Sequence, residues 1–313
     1  MRTHPALVIA ASLLVAAEIA CDTVAGGKND VLAFEFDADT ALFPSAFSTP
    51  LAQGTRVGVH VWKSESDKTA VSVVNAESGN PSVANITSTA GNLITIEALS
   101  VGTAEITVTT ADGDDAFDVT VAALGKVDLE YPGAIVSDSP KSAGVVGGTA
   151  RFLMSLKDAD NKVLIGYGDV PVAISPTGAA TLGTSDDVGF LGIRFETPGT
   201  LEITGQGDDK LTMTVVAAAD LTALTWKGFA EVPTLPVGGQ TVGILRGATA
   251  GGDKVVGVAS LATVTTGDDA VCSITANPRL GEGVFTLSAK KAGECQVTAS
   301  LGALAGRATI TVQ

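Results

Sequence analysis

The chain has 313 residues, of which 45% are hydrophobic, 17% charged and 4% aromatic, with 36 glycines. Such a length buries cores for two or three domains, and a glycine-punctuated Val/Ile/Thr/Ala composition suits small all-β domains. A net charge of −15 repels phosphate backbones and excludes nucleic acid as a partner, and the bland source of that acidity is a soluble surface with carboxylates at turns.

The first element is "MRTHPALVIAASLLVAAEIAC", with a basic start at Arg2 and an apolar run from Ala6 to Ala17. The run is shorter than a membrane-spanning helix, so residues 1–20 read as a secretory signal peptide. Two cleavage readings stand side by side. Small residues in "VAA" at 15–17 suit an ordinary signal peptidase. "EIAC" at 18–21 resembles the lipobox of bacterial lipoproteins, with Ile19 and Ala20 in place and Glu18 where an aliphatic residue is usual. That resemblance implies that Cys21 becomes the acylated N-terminus and holds the chain to a membrane through lipid. Residues 21–30, "CDTVAGGKND", read as a short tether.

Three segments of similar size follow, at 31–123, 126–218 and 220–313. Each closes on an alternating strand: "DAFDVTVAA", "DKLTMTVVAA" and "GRATITVQ". Each carries an earlier Gly- or Pro-Gly-led alternating run: "VGTAEITVTT", "PGTLEITGQG" and "AGECQVTASLG". Repetition at a period of about 93 residues means one supersecondary unit used three times. About seven short strands per segment, with turn signals every 8 to 12 residues or so, predict β-sandwiches. In "TAEITVTT", Ala104, Ile106 and Val108 share one face, as in an antiparallel strand with one wet side.

"NPSVANITSTAGNLITIEALSVGTAEITV", with Trp62 in "VHVWKSES" before it, resembles the bacterial Ig-like group 2 family. The match covers the first segment well and the third in part; the third lacks the Trp at that position and has Trp226 in its first strand instead. The second segment, through "RFLMSLKDADNKVLIGYGDVPVAIS", is closer to the group 1 style. The expected architecture is therefore all-β, three tandem Ig-like β-sandwich domains behind an N-terminal signal peptide. Domains of these families occur in adhesins, in accessory parts of secreted enzymes and as spacers, so the resemblance implies a surface location rather than an activity. It also implies that Trp62 is a core residue.

Catalytic chemistry has few carriers. With His4 in the signal, His60 is the sole histidine of the mature chain, so a nucleophile–His arrangement would have to use it. His60 lies in the alternating "GVHVWK" and reads as a strand-face side chain without a catalytic role. Zinc sites of the usual His/Cys types fail by count. "DADNK" at 158–162 resembles the opening of a calcium loop, but Val163 stands where Gly is needed and Asp169 where Glu is usual, so a hairpin turn is the simpler reading. The acidic turns near 112–115, 185–187, 208–209 and 268–269 read the same way. No metal, no cofactor and no enzyme are expected.

Three cysteines remain to be placed. Cys272 in "AVCSITA" shares a strand face with Ile274, and Cys295 in "GECQVTA" with Val297 and Ala299. Both stand on inward parity where the first segment has Ala84 and Ala104. A disulfide there is expected in an oxidising compartment, with two buried thiols as the alternative, and Cys21 is then the odd thiol that acylation explains. The expected function is a non-enzymatic, exported, lipid-anchored envelope protein whose Ig-like string serves as spacer or adhesion module. Alternatives are a lipoprotein that binds a surface glycan or protein ligand, with Trp226, Tyr131 and Tyr167 as candidate stacking rings, and a subunit of a larger envelope assembly.

Overall fold

The computed structural model describes residues 23–37, 46–130, 142–186, 189–207 and 210–313. The signal at 1–20, Cys21 and Tyr131 lie outside the described residues. The chain divides into two compact units. The first holds residues 1–126, 156–170 and 186–189; the second holds 127–155, 171–185 and 190–313.

The first unit is a sandwich of two sheets. Its strands in chain order are β1 (Val24–Gly26), β2 (Ala33–Phe36), β3 (Leu51–Ala52), β4 (Arg56–Trp62), β5 (Val73–Ser78), β6 (Ala84–Ala90), β7 (Leu93–Ala98), β8 (Gly102–Thr110) and β9 (Gly113–Ala122). One sheet runs β1-β2-β4-β7-β6 and the other β3-β9-β8-β5. Alternation decides which side chains go in. In β4, Val57, Val59 and Val61 are fully buried, while Arg56, His60 and Trp62 take the other face. In β8, Ala104, Ile106 and Val108 are buried. Between the sheets Phe34 meets Phe117 at 4.5 Å and Phe36 meets Phe47 at 4.4 Å between ring centroids, and burying each such side chain stabilises by roughly 1.5–3 kcal/mol.

Residues 24–30 are not a free tether. They form β1 and a loop fixed to β9. The carboxylate of Asp115, a residue 1% exposed, accepts the backbone N–H groups of Asn29, Val31, Leu32 and Ala116 at 2.8–2.9 Å. Burial alone would push this carboxyl up, yet the four N–H groups hold it below its ordinary 3.8. Lys28 adds an exposed clamp, donating to Glu105 at 2.6 Å and Asp118 at 2.7 Å.

The remaining strands are β10 (Lys126–Glu130), β11 (Ser142–Val145), β12 (Thr149–Lys157), β13 (Val163–Leu164), β14 (Ala173–Ser175), β15 (Ala180–Ser185), β16 (Phe190–Phe195), β17 (Gly199–Thr204) and β18 (Lys210–Val216). Then come β19 (Leu221–Lys227), β20 (Thr234–Leu235), β21 (Gln240–Thr249), β22 (Lys254–Val256), β23 (Thr263–Thr266), β24 (Cys272–Ala276), β25 (Val284–Ala289), β26 (Gly293–Leu301) and β27 (Leu304–Val312). The hairpin through β13 belongs to the first unit, where Ile165 enters the core. Ile165 N–H donates to Pro50 O at 3.0 Å and its carbonyl accepts Ala52 N–H at 2.8 Å.

In the second unit β11 sits between two parallel neighbours. Ala143 pairs with Thr214 of β18 and with Val255 of β22. A nine-stranded sheet results, ordered β14-β17-β18-β11-β22-β21-β25-β24 with β19 on β21. Ala143 and Val145 of β11 join one core with Trp226, Leu245, Cys272 and Cys295. The three sequence segments map unevenly onto this division. Segment 31–123 lies in the first unit, 220–313 in the second, and 126–218 contributes to both.

One backbone device recurs in all three segments. The carbonyl of buried Val83 accepts Leu99 N–H at 2.8 Å and Ser100 N–H at 3.3 Å. Ala179 O does the same for Glu196 and Thr197, at 2.9 and 3.3 Å, and Val271 O for Lys290 and Lys291, at 2.8 and 3.2 Å. Shortly after each clamp comes a glycine at positive φ: Gly102 at 150°, Gly199 at 133° and Gly293 at 151°. L side chains rarely adopt that backbone.

Candidate functional site

A mixed cluster of aromatic and charged side chains lies on the outer face of the first sheet. Since the three valines of β4 take the inner face, His60 and Trp62 project outward, half-buried. Trp62 is thus not the core residue that the family resemblance implied: alternation puts it on the wet side. The two rings stack at 5.3 Å and 30°. Trp62 Nε1 donates to Glu35 Oε2 at 2.9 Å, and Lys68 Nζ caps Glu35 at 2.9 and 3.1 Å. His60 Nε2 lies 3.1 Å from Asp37 Oδ1, and Asn92 Nδ2 lies 3.4 Å from His60 Nδ1. Gly58 makes room for this. A Cβ there would stand 2.8 Å from Asp37 Cβ, so only a glycine lets Asp37 lie across β4. The arrangement is a stacked indole–imidazole pair edged by two carboxylates, an amide and an ammonium. No nucleophile faces the imidazole among these contacts.

Of the ring residues expected from the sequence, Trp226 and Tyr167 are described, and they belong to different units. Trp226 is 8% exposed and packs against Phe229 at 5.0 Å and Phe285 at 5.4 Å. It belongs to the core of the second unit and offers no stacking face, a correction that its shared parity with buried Leu224 explains. Its Nε1 is buried without a partner. Tyr167 lies in the first unit with the Arg56 guanidinium 5.5 Å above its ring, and the two residues exchange backbone hydrogen bonds at 3.0 and 2.9 Å. Asp158 Oδ1 accepts the N–H groups of Asp160 and Lys162 at 2.9 and 2.8 Å, and Asn161 has φ 63°, which is a side-chain-closed hairpin turn.

Cys272 and Cys295 form a disulfide with Cα atoms 5.9 Å apart. Both residues are fully buried at the first position of β24 and the third of β26, where Ala84 and Ala104 stand in β6 and β8. Two further acids were hidden among the acidic turns and loops: Asp115, described above, and Glu282. Glu282 is half-buried as a residue, but its Oε1 is shielded and without a hydrogen-bond partner. Desolvation pushes its carboxyl up to about 7, against the N–H groups of Gly257 and Ala259 and the charge of Arg246.

No protein-family model matches the chain, and comparison with curated proteins gives no match. Among solved structures it is similar to domains 4–9 of the surface layer protein SbsC, at 18% identity and TM-score 0.31, over 93% of this chain and 46% of that one. It thus spans about half the length of that fragment. FdeC, an Escherichia coli adhesin, is similar at 14% identity and TM-score 0.26, over 93% and 98% of the two chains. Invasin, a bacterial integrin-binding protein, is similar at 13% identity and TM-score 0.26, over 90% and 60%. At such identities and scores no activity or partner passes from these proteins to this chain.

Proposed function

We propose that this protein is an exported, non-enzymatic envelope lipoprotein whose three Ig-like modules, of bacterial group 2 type in the first and third, act as a surface spacer and adhesion module. The observation that carries the reading is β11, inserted in parallel between β18 and β22. It welds strands of the second and third segments into one sheet, so that hinge motion between those strands would have to break ladder hydrogen bonds. A spacer needs that stiffness, whereas an enzyme built on two domains more often uses the hinge. The leader and its "EIAC" ending supply the route out of the cell and the anchor at Cys21, with the membrane reached through lipid and the partner a glycan or protein on a facing surface.

The test is made on cells. Labelled palmitate is expected to enter the wild-type chain and not Cys21→Ser, which is released from the membrane fraction, and a membrane-impermeant amine reagent is expected to label the anchored protein on intact cells. An unacylated chain starting at Glu18, or a chain untouched by the reagent, overturns the lipoprotein or the surface part of the reading respectively.

A further inference from the structure

We propose that the His60–Trp62 face is a subsite for a neutral, hydroxyl-rich saccharide ring, which packs against the stacked pair and donates hydroxyl hydrogen bonds to Asp37 and Asn92. The inference rests on the surface-module reading and gives it a ligand class.

Three observations carry it. First, Trp62 and His60 form a stacked aromatic pair, centroids 5.3 Å apart, on the outward face of a sheet. A half-buried indole on the outward side of a β-strand adds little to the core, while it offers apolar surface of the kind that the C–H side of a sugar ring covers. Second, both rings are held from beneath rather than left to rotate. Glu35 takes the indole N–H at 2.9 Å and is itself fixed by Lys68; Asp37 takes an imidazole nitrogen at 3.1 Å. A preorganised surface loses little entropy on binding. Third, the hydrogen-bonding edge is rich in acceptors. Among the described residues, Asp37 uses Oδ1 and Asn92 uses Nδ2, which leaves Asp37 Oδ2 and Asn92 Oδ1 for incoming donors. Asp37 Oδ2 lies over Gly58, where a Cβ would approach it to 3.2 Å, so the missing side chain in β4 leaves that oxygen the room it occupies.

The charge selects among sugars. Two carboxylates beside the rings, in a chain of net charge −15, repel sialic and uronic acids and accept from neutral hydroxyls. Lys68 is engaged by Glu35, and the guanidinium of Arg56, on the same face of β4, lies over the Tyr167 ring.

The experiment uses the chain without its leader and lipid-bearing cysteine, residues 22–313, in affinity electrophoresis through gels holding a soluble neutral β-glucan or α-glucan, with a polysialic acid gel as the charged counterpart. Fluorescence quenching by acrylamide is read in parallel on Trp226→Phe protein, in which Trp62 is the remaining indole. Retardation in at least one neutral gel and none in polysialic acid is expected, together with protection of Trp62 by the same sugar. Trp62→Ala is expected to weaken retention at least tenfold. Asn92→Ala, at the turn between β6 and β7, is expected to weaken it about threefold, which keeps the test alive should Trp62→Ala unfold. Absence of retardation in both neutral gels, equal retention by polysialic acid, or folded Asn92→Ala and Trp62→Ala proteins that bind as wild type each overturn the proposal. If sugar binding fails while intact-cell labelling succeeds, the subsite falls and the surface reading stands. If labelling fails while the sugar binds, the location falls and the subsite stands.

Discussion

The first and third segments repeat one backbone and fasten it differently. In both, a buried valine carbonyl, Val83 or Val271, clamps two successive N–H groups, and a glycine at φ 150° or 151° opens the next strand. In both, a Cβ added to that glycine would stand 3.1 Å from a valine Cγ2. Around this shared frame the first segment sets a cluster of four phenylalanines and the Asp115 pin. The third sets Trp226, Phe229 and Phe285, and replaces two alanines with a disulfide. The frame is thus written in backbone bonds and in glycine, and the staple is interchangeable. That gives the physical reason for the cysteines: with fewer ring contacts in its core, the third segment gains a covalent link where the first has small alanines.

The largest effect expected is on that staple. Opening the bond, with a sequence separation of 23, should destabilise the second unit by about 3.5 kcal/mol in the chain-entropy model, which is an upper figure. Trp62 and Trp226 report separately on the two units, so reduction should move the Trp226 melting transition and leave that of Trp62 in place. The comparison is sharpened by transplanting the bond. Ala84→Cys with Ala104→Cys should oxidise spontaneously and raise the first transition, by up to about 3 kcal/mol. Two thiols that stay free after oxidation would show that the frames are not superposable at these positions.

The pin of the first segment has no partner in the third, so its loss should be confined in the same way. Asp115→Ala strands the N–H groups of Asn29, Val31 and Leu32 and should cost about 3 kcal/mol in the first unit. Its pH dependence has a definite sign. The folded carboxyl lies below its ordinary 3.8, so the stabilisation is present above that value and is lost as pH falls through the folded pKa. Acid should therefore unfold the wild-type first unit earlier than a neutral-pH ranking predicts, and the Ala variant should lack that acid-sensitive step.

Much of this was legible in the strand alternation. The inward parity of Cys272 and Cys295, the Gly-led strands and the hairpin turn at Asp158 all follow from short-range pattern. The same alternation marks His60 and Trp62 as outward beside Val57, Val59 and Val61, marks Trp226 as inward beside Leu224, and places Asp115 on the parity of Phe117 and Val119; the family expectation for Trp62 and the scarcity of rings elsewhere pull the other way. What alternation does not carry is the placement of β11. A four-residue strand that pairs in parallel with residues 214–216 on one side and 254–256 on the other has no local signature, because the contacts that select it are distant in sequence. The Asp37–Gly58 notch is hidden for the same reason.

Glu282 should make the second unit titrate in the opposite sense to the first. Its carboxyl rises from 4.5 to about 7 on folding, so the stability it contributes is present below 4.5 and drains away as pH climbs to about 7. Allowing for a half-buried residue, the change is about 2 kcal/mol across that window. Denaturant melts followed at Trp226 should show a midpoint falling from pH 5 to pH 7, and Glu282→Gln should flatten it. A wild-type midpoint that is flat over this range would remove Glu282 from the contrast between the units.

The smallest effect tests the frame itself. Gly102→Ala and Gly293→Ala place the same Cβ into the same backbone, at φ 150° and 151° and 3.1 Å from Val83 and Val271. Each should cost about 1–2 kcal/mol, from the unfavourable positive φ and from a valine methyl that must shift by a few tenths of an ångström. The decisive quantity is the difference between the two. The strain is local to the clamp, and the staples lie on other residues, so the two costs should agree to within about 0.5 kcal/mol once each is read at its own tryptophan. A Gly293→Ala cost that vanishes on reduction of Cys272–Cys295, with Gly102→Ala unchanged, would mean that the disulfide holds the glycine in its strained region. The frame would then be a product of the staple in the third segment, and its likeness to the first segment would be imposed by the bond.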